Sequence, residues 1–299
     1  MIGKSGGRSR LGSPSWKRMR IFNHFRIERL WPRKPVVSVL RFEGVIVPRP
    51  RRNGISLASH AAAIERAFRA SGLVAVAIVV NSPGGSPVQS SLLFRRIRQL
   101  ADEKGVPVIA FAEDVAASGG YSLALAGDEI FTEETSIIGS IGVVSAGFGF
   151  AELIRRLGVE RRLHTAGERK SLLDPFLPED PSDIERLTAL QQDIHRAFKE
   201  HVRHRRAEKL DTADETLFGG DVLTGRMALE RGLVDGIGEL RAVMRARYGD
   251  EVRLRAFPAE RRRWPFWRGP PFAGREQFAP IADLADWIES RLLWAKFGL

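Results

Sequence analysis

A single serine, Ser118, stands in AASGGY (116–121) between two alanines and two glycines, just after the apolar run VPVIAFA (106–112). Neighbours this small leave room for another group to approach the hydroxyl. A serine at a strand-to-helix junction can attack a carbonyl if a base takes its proton and backbone N–H groups receive the developing oxyanion. It serves equally as a helix N-cap, a role that serine fills well. A second glycine-bearing turn, NSPGG (81–85), follows another apolar run. There Gly84 and Gly85 would let backbone N–H groups face a ligand closely. The plain alternative is a tight turn that needs proline and glycine. No Gly-Lys-Ser/Thr follows it, so it is not a phosphate loop.

A serine nucleophile needs a base, and the six histidines do not supply a triad. His24 lies in a basic segment, and His164 ends a strand near a glycine loop. His60, His195, His201 and His204 fall on helices whose polar faces would hold them. Lysine is the other choice, because a desolvated lysine can lose its proton whereas arginine cannot. Most of the positive charge is arginine, which makes Lys170 in TAGERKSLLDPF (165–176) stand out, followed as it is by apolar residues. If buried, its amine would become neutral; it reads otherwise as a surface-loop lysine. The chain has no cysteine, which excludes thiolate catalysis, disulfides and cysteine metal sites. With no HExxH pattern either, we expect no metal and no cofactor.

The elements that must position these residues alternate. VVSVL (36–40) and GVIV (44–47) read as strands, LASHAAAIERAFRA (57–70) as a helix capped by Ser56, and LVAVAIVV (73–80) as a strand buried on both faces. A basic helix to about Lys104 and the strand 106–112 come next. This is the pattern of βαβ units and a mostly parallel sheet in an α/β fold. Beyond it lie the glycine-punctuated SIIGSIGVVSAGFGF (136–150), a short helix ELIRRLG, a strand VERRLHT and the Lys170 loop. SDIE (182–185) is a capping box opening a long helix to about Lys209. Helices around 224–231 and 238–247, a strand VRLRAF (252–257) and an amphipathic helix (281–296) complete the reading.

Of 299 residues, 43% are hydrophobic and 28% charged, as in a soluble globular protein. No run of about 18 apolar residues occurs, so no transmembrane helix is expected. The net charge of +11 gathers at the ends: residues 1–27 carry seven lysines and arginines and no acid, and RRRWPFWRGPP (261–271) lies near the other end. Such ends read as solvated tails, as a peripheral membrane contact in which Trp16, Phe22, Phe25 and Trp31 interleave with the bases, or as a transit peptide. Nucleic acid ranks last, because no nucleic-acid module is recognisable. The simplest partition is a basic extension (1–34), one α/β domain (35–250) and a Pro/Arg/Trp-rich linker with a terminal helix (251–299).

Taken in order, SPGG, AASGGY, GSIGVV (139–144) and TAGERKSLLDPF resemble the S49 peptidases, the signal peptide peptidase A and SohB-like family, over about residues 35–247. The resemblance implies a ClpP/crotonase-like βα spiral and serine endopeptidase activity with a Ser/Lys dyad. It implies Ser118 as nucleophile, Lys170 as general base and Ser140 as the group that orients the lysine amine. Gly85 is implied as an oxyanion donor, with Gly119 beside it from the expected geometry, and Gly84 and Tyr121 as substrate-binding residues. Ser122 departs from members that carry a second tyrosine there. The implied partners are a peptide or protein substrate, hydrophobic or signal-peptide-like, and further copies of the chain in a homo-oligomer. The implied location is the cytoplasm, peripheral to the inner membrane. Two other readings share these features: a ring-forming membrane-surface scaffold with a vestigial site, and crotonase-like acyl-CoA chemistry, which gives Lys170 no role.

Overall fold

A computed structural model describes residues 34–48, 54–167, 170–207, 209–210, 215–259 and 291–298. The basic extension, RRRWPFWRGPP and most of the expected terminal helix lie outside these residues. The chain opens with β1 (Val36–Glu43), α1 (Leu57–Phe68), β2 (Leu73–Ser82), α2 (Pro87–Lys104), β3 (Val108–Ala117) and α3 (Gly119–Ala124). It continues through β4 (Glu129–Thr132), β5 (Ile137–Gly139), α4 (Ala151–Arg156) and α5 (Pro181–Arg206). Then come β6 (Val222–Thr224), α6 (Gly225–Glu230), β7 (Gly236–Ile237), α7 (Leu240–Tyr248) and β8 (Arg253–Ala256), and residues 291–295 are again helical.

The strands form one sheet in the order β6-β5-β3-β2-β1-β8, with β4 beside the first half of β3 and β7 beyond it. Every pairing is parallel except β5 with β6, so the expected α/β class with a mostly parallel sheet holds. β2 is buried on both faces, as its unbroken β-branched run predicts. Val76, Ile78 and Val80 join the larger core beneath α1, α2 and α3, while Ala75, Ala77 and Val79 face α7 with Phe111 and Met244.

Local chemistry sets the helix ends. Ser56 caps α1 in a reciprocal box with Ser59, and Ser86 with Pro87 opens α2, which ends at Gly105 in the left-handed region. Asp180 rather than the SDIE serine caps α5, because Pro181 begins the helix two residues earlier than expected. GVIV is not a strand: Gly44 turns the chain at φ 113°, and only Ile46 makes bridges, to Ile55 and Gly85. VERRLHT is irregular and exposed, with no strand partner among the described residues.

From Gly142 to His201 no described residue is buried, although Val144, Phe148, Leu153 and Leu157 lie in that stretch. This segment forms an arm. Its return helix, α5, docks only by its C-terminal half. Val202 enters the core, and Arg205 donates to the carbonyls of Leu125 and Gly127 just past α3. Arg206, 3% exposed, pairs with Asp235 at 2.7 Å. Burial alone would raise the Asp235 carboxyl, but hydrogen bonds from Arg206 and Lys209 outweigh it and hold it below the usual carboxylate range.

Candidate active site

Parallel strands β2, β3 and β5 are neighbours, so the segments that leave their C-terminal ends meet. The meeting is controlled by an irregularity. Val80 pairs with Ala112 but Ser82 with Ala116, so β3 carries two extra residues there. Asn81 holds this bulge, accepting from Val115 N–H at 3.2 Å and donating to Asp114 at 2.7 Å. The first residue of NSPGG therefore works as a structural plug, aiming the end of β3 at the glycines.

Ser118 directly precedes α3, and its side chain makes no capping bond. Its backbone, at φ 53° and ψ −121°, is far from the extended conformation of an N-cap serine. The cap reading fails. A non-glycine residue in this region is strained, and such strain recurs where a nucleophile is lifted above a sheet on a sharp strand-to-helix turn. Ser118 N–H donates to Gly139 O at 2.8 Å, tying the turn to the end of β5.

The NSPGG turn packs directly on this serine. A Cβ added to Gly84 would stand 2.8 Å from Ser118 Cβ and 2.9 Å from Gly119 N, and one added to Gly85 only 2.1 Å from Ile46 O. Both glycines also have positive φ, 103° and 132°, so no other residue fits. Gly85 N in turn lies 3.4 Å from where a Cβ on Gly119 would be. Among the described residues, neither Gly85 N–H nor Gly119 N–H has a hydrogen-bond acceptor. Two N–H groups without an acceptor, one on each of the segments that leave β2 and β3, thus lie at the serine turn, an arrangement able to receive an oxyanion.

Ser140 follows Gly139, half-buried and at φ 50°, with its N–H on Asp221 O at 2.7 Å. The structure brings Gly84, Gly85, Ser118, Gly119 and Ser140 together. Lys170 is elsewhere: it lies on the arm, exposed, without the burial expected of it. Tyr121 does not line a cleft. It is 0% exposed and donates to Leu233 O at 2.7 Å, and burial raises its hydroxyl pKa, so it is a core residue. Gly84 is buried against the serine turn and Gly85 is the exposed member of the pair.

The helical histidines are not all on polar faces. His60 stacks on Phe42, and burial lowers its pKa. His201 meets Phe94 edge-on with its Nε2 buried and unpartnered, and burial beside Arg205, His204 and Arg95 pulls it down to about 4. His195 Nε2 donates to Ile141 O at 3.1 Å, within the Ser140 loop. A helical histidine gives no sequence signal for such a distant contact. A separate cavity of about 750 Å³, lined in part by Arg41, Phe111, Glu113 and Arg241, includes none of Ser118, Gly85 and Ser140. Its Arg41 is already paired with Glu43 and Glu113.

A Brucella abortus protein named Na(+)/H(+) antiporter NhaA is 47% identical over 289 residues, 91% of this chain and 39% of that one. The chloroplastic serine protease SPPA of Arabidopsis thaliana is 37% identical over 167 residues, 56% of this chain and 24% of that one. The chain thus spans well under half the length of either relative. Among the described residues no helix is long and apolar enough to cross a membrane, so the antiporter name finds no counterpart there. A solved membrane-bound stomatin-specific protease, 1510-N with a substrate peptide, aligns at a TM-score of 0.45 and 16% identity, over 90% of this chain and 100% of that one. The model of Peptidase family S49 matches residues 101–252, from the end of α2 past the serine turn and the arm to just beyond α7, and the chain belongs to that family.

Proposed function

We propose that the protein is a serine endopeptidase with a Ser/Lys dyad, acting on hydrophobic or signal-peptide-like segments. Ser118 attacks the peptide carbonyl, and Gly85 and Gly119 N–H groups hold the tetrahedral oxyanion. Lys170 takes the hydroxyl proton and returns it to the leaving amine, and Ser140 aims the lysine. The observation that carries this reading is the strained, uncapped Ser118 flanked by two unengaged N–H donors.

Lys170 acts only once the arm has docked. Exposed Val144 (72%), Phe148 (77%) and Leu157 (68%) give the arm an apolar surface to bury. Docking against a second copy would remove water from the amine, the condition under which a lysine serves as a base. The dyad is then completed in a homo-oligomer. Ser118→Ala and Lys170→Ala variants should each lose cleavage of an unstructured peptide by orders of magnitude. Wild-type rates in either would end the proposal. Mixing the two inactive variants should restore activity if serine and lysine come from different copies. The scaffold reading, favoured by the exposed Lys170, expects vesicle binding with no labelling of Ser118 by a fluorophosphonate.

A further inference from the structure

We infer that His195 is a positioning residue: its bond to Ile141 ties the base of the arm to the loop carrying Ser140 and so sets where the arm presents Lys170. The inference rests on the peptidase reading above. Ile141 is 0% exposed and sits between Ser140 and Gly142. Gly142 N–H donates back to Ser140 O at 2.9 Å, closing a tight turn that leaves the Ile141 carbonyl to His195. The loop is thereby held on three sides. Asp221 O takes Ser140 N–H, Gly139 O takes Ser118 N–H, and His195 takes the Ile141 carbonyl.

The arm leaves the body after Ile141 and returns along α5. Among the described residues, the other hydrogen bonds of 143–195 stay within the arm and α5: Phe150 N–H to Pro175 O, Arg161 to Asp174, Leu173 N–H to Asp183 and Arg196 to Asp193 are examples. The His195 bond thus joins the two feet of the arm, 54 residues apart in sequence, beside the serine that would orient the lysine. A carbonyl only accepts, so Nε2 must donate. It does so both as the neutral Nε2–H tautomer and as imidazolium, and the tie survives protonation.

Without the tie the arm pivots about its Gly142 foot. A misplacement of about 1 Å in a reacting group can cost about 100-fold in rate. His195→Phe keeps a planar ring of similar size and removes the donor, whereas His195→Gln restores an N–H near the same place. His195→Phe should lower kcat for peptide cleavage by about 10- to 100-fold with KM little changed. His195→Gln should recover most of that loss, and amide hydrogen exchange at Gly142–Val144 should accelerate in His195→Phe alone. Equal losses in both variants would show that packing, not the hydrogen bond, matters and would overturn the inference; unchanged kcat in His195→Phe would do the same. A wild-type protein that neither cleaves peptides nor labels at Ser118 would instead defeat the peptidase reading. In that case the exchange measurement still decides whether His195 fastens the loop.

Discussion

Replacing Gly84 by alanine puts the proposed mechanism under the most direct steric test. The added Cβ would lie 2.8 Å from Ser118 Cβ, where carbon atoms prefer about 3.5–4.0 Å. Relief therefore requires the serine turn to move by about 1 Å, enough to cost about 100-fold in rate. Gly84 also has φ 103°, a conformation whose strain for other residues is about 1–3 kcal/mol. Gly105→Ala is the matched control, at φ 61° with no atom within 4 Å of the new Cβ. It pays only the left-handed penalty of about 1 kcal/mol. Cleavage of a fluorogenic unstructured peptide, alongside urea unfolding, separates the two effects. Gly84→Ala should stay folded, lose about 1–3 kcal/mol, and fall about 100-fold in kcat/KM. Gly105→Ala should lose about 1 kcal/mol and no activity. A folded Gly84→Ala protein with wild-type kcat/KM would refute the claim that the NSPGG turn shapes the serine site.

Two further outcomes concern the docking of α5. His201, held at a pKa of about 4 when folded, binds its proton more readily unfolded, near 6.5. The wild type should therefore lose stability as pH falls from about 6.5 to 4, by about 2 kcal/mol at pH 5, relative to His201→Phe; parallel unfolding curves for the two proteins between pH 7.5 and 5 would contradict this. Arg206→Met leaves Asp235 half-buried without its main partner, and urea denaturation should register a loss of about 3 kcal/mol. A loss below about 1 kcal/mol would mean that Lys209 alone satisfies the carboxylate.

Much of the scaffold was legible because its causes are local. The β-branched run 73–80 and the Ser56 cap each act within a few residues of themselves. What escaped depends on contacts distant in sequence. Val115 meets Asn81 only because β2 and β3 pair, and nothing in EDVAA marks it as a bulge. Tyr121 looked available to a substrate until Leu233, far along the chain, took its hydroxyl. VERRLHT has strand-like residues, but no described strand pairs with it, and an isolated strand cannot satisfy its backbone.

The same division runs through the site. By itself the sequence determined the inventory: a serine among small residues, two glycine turns after apolar strands, a lysine in a chain of arginines, and no cysteine. It left Ser118 divided between nucleophile and cap, since both roles want a serine at a helix start. Tertiary structure removed the capping role, because Ser118 is tied to the end of β5 and packed under Gly84 at φ 53°, where capping geometry is lost. It also decided that Gly85 and Gly119, 34 residues apart in sequence, pack against each other, with Gly85 N 3.4 Å from where a Cβ on Gly119 would be. A hydrogen-bond donor is written into every residue but proline; only the sheet determines which donors are left without a partner.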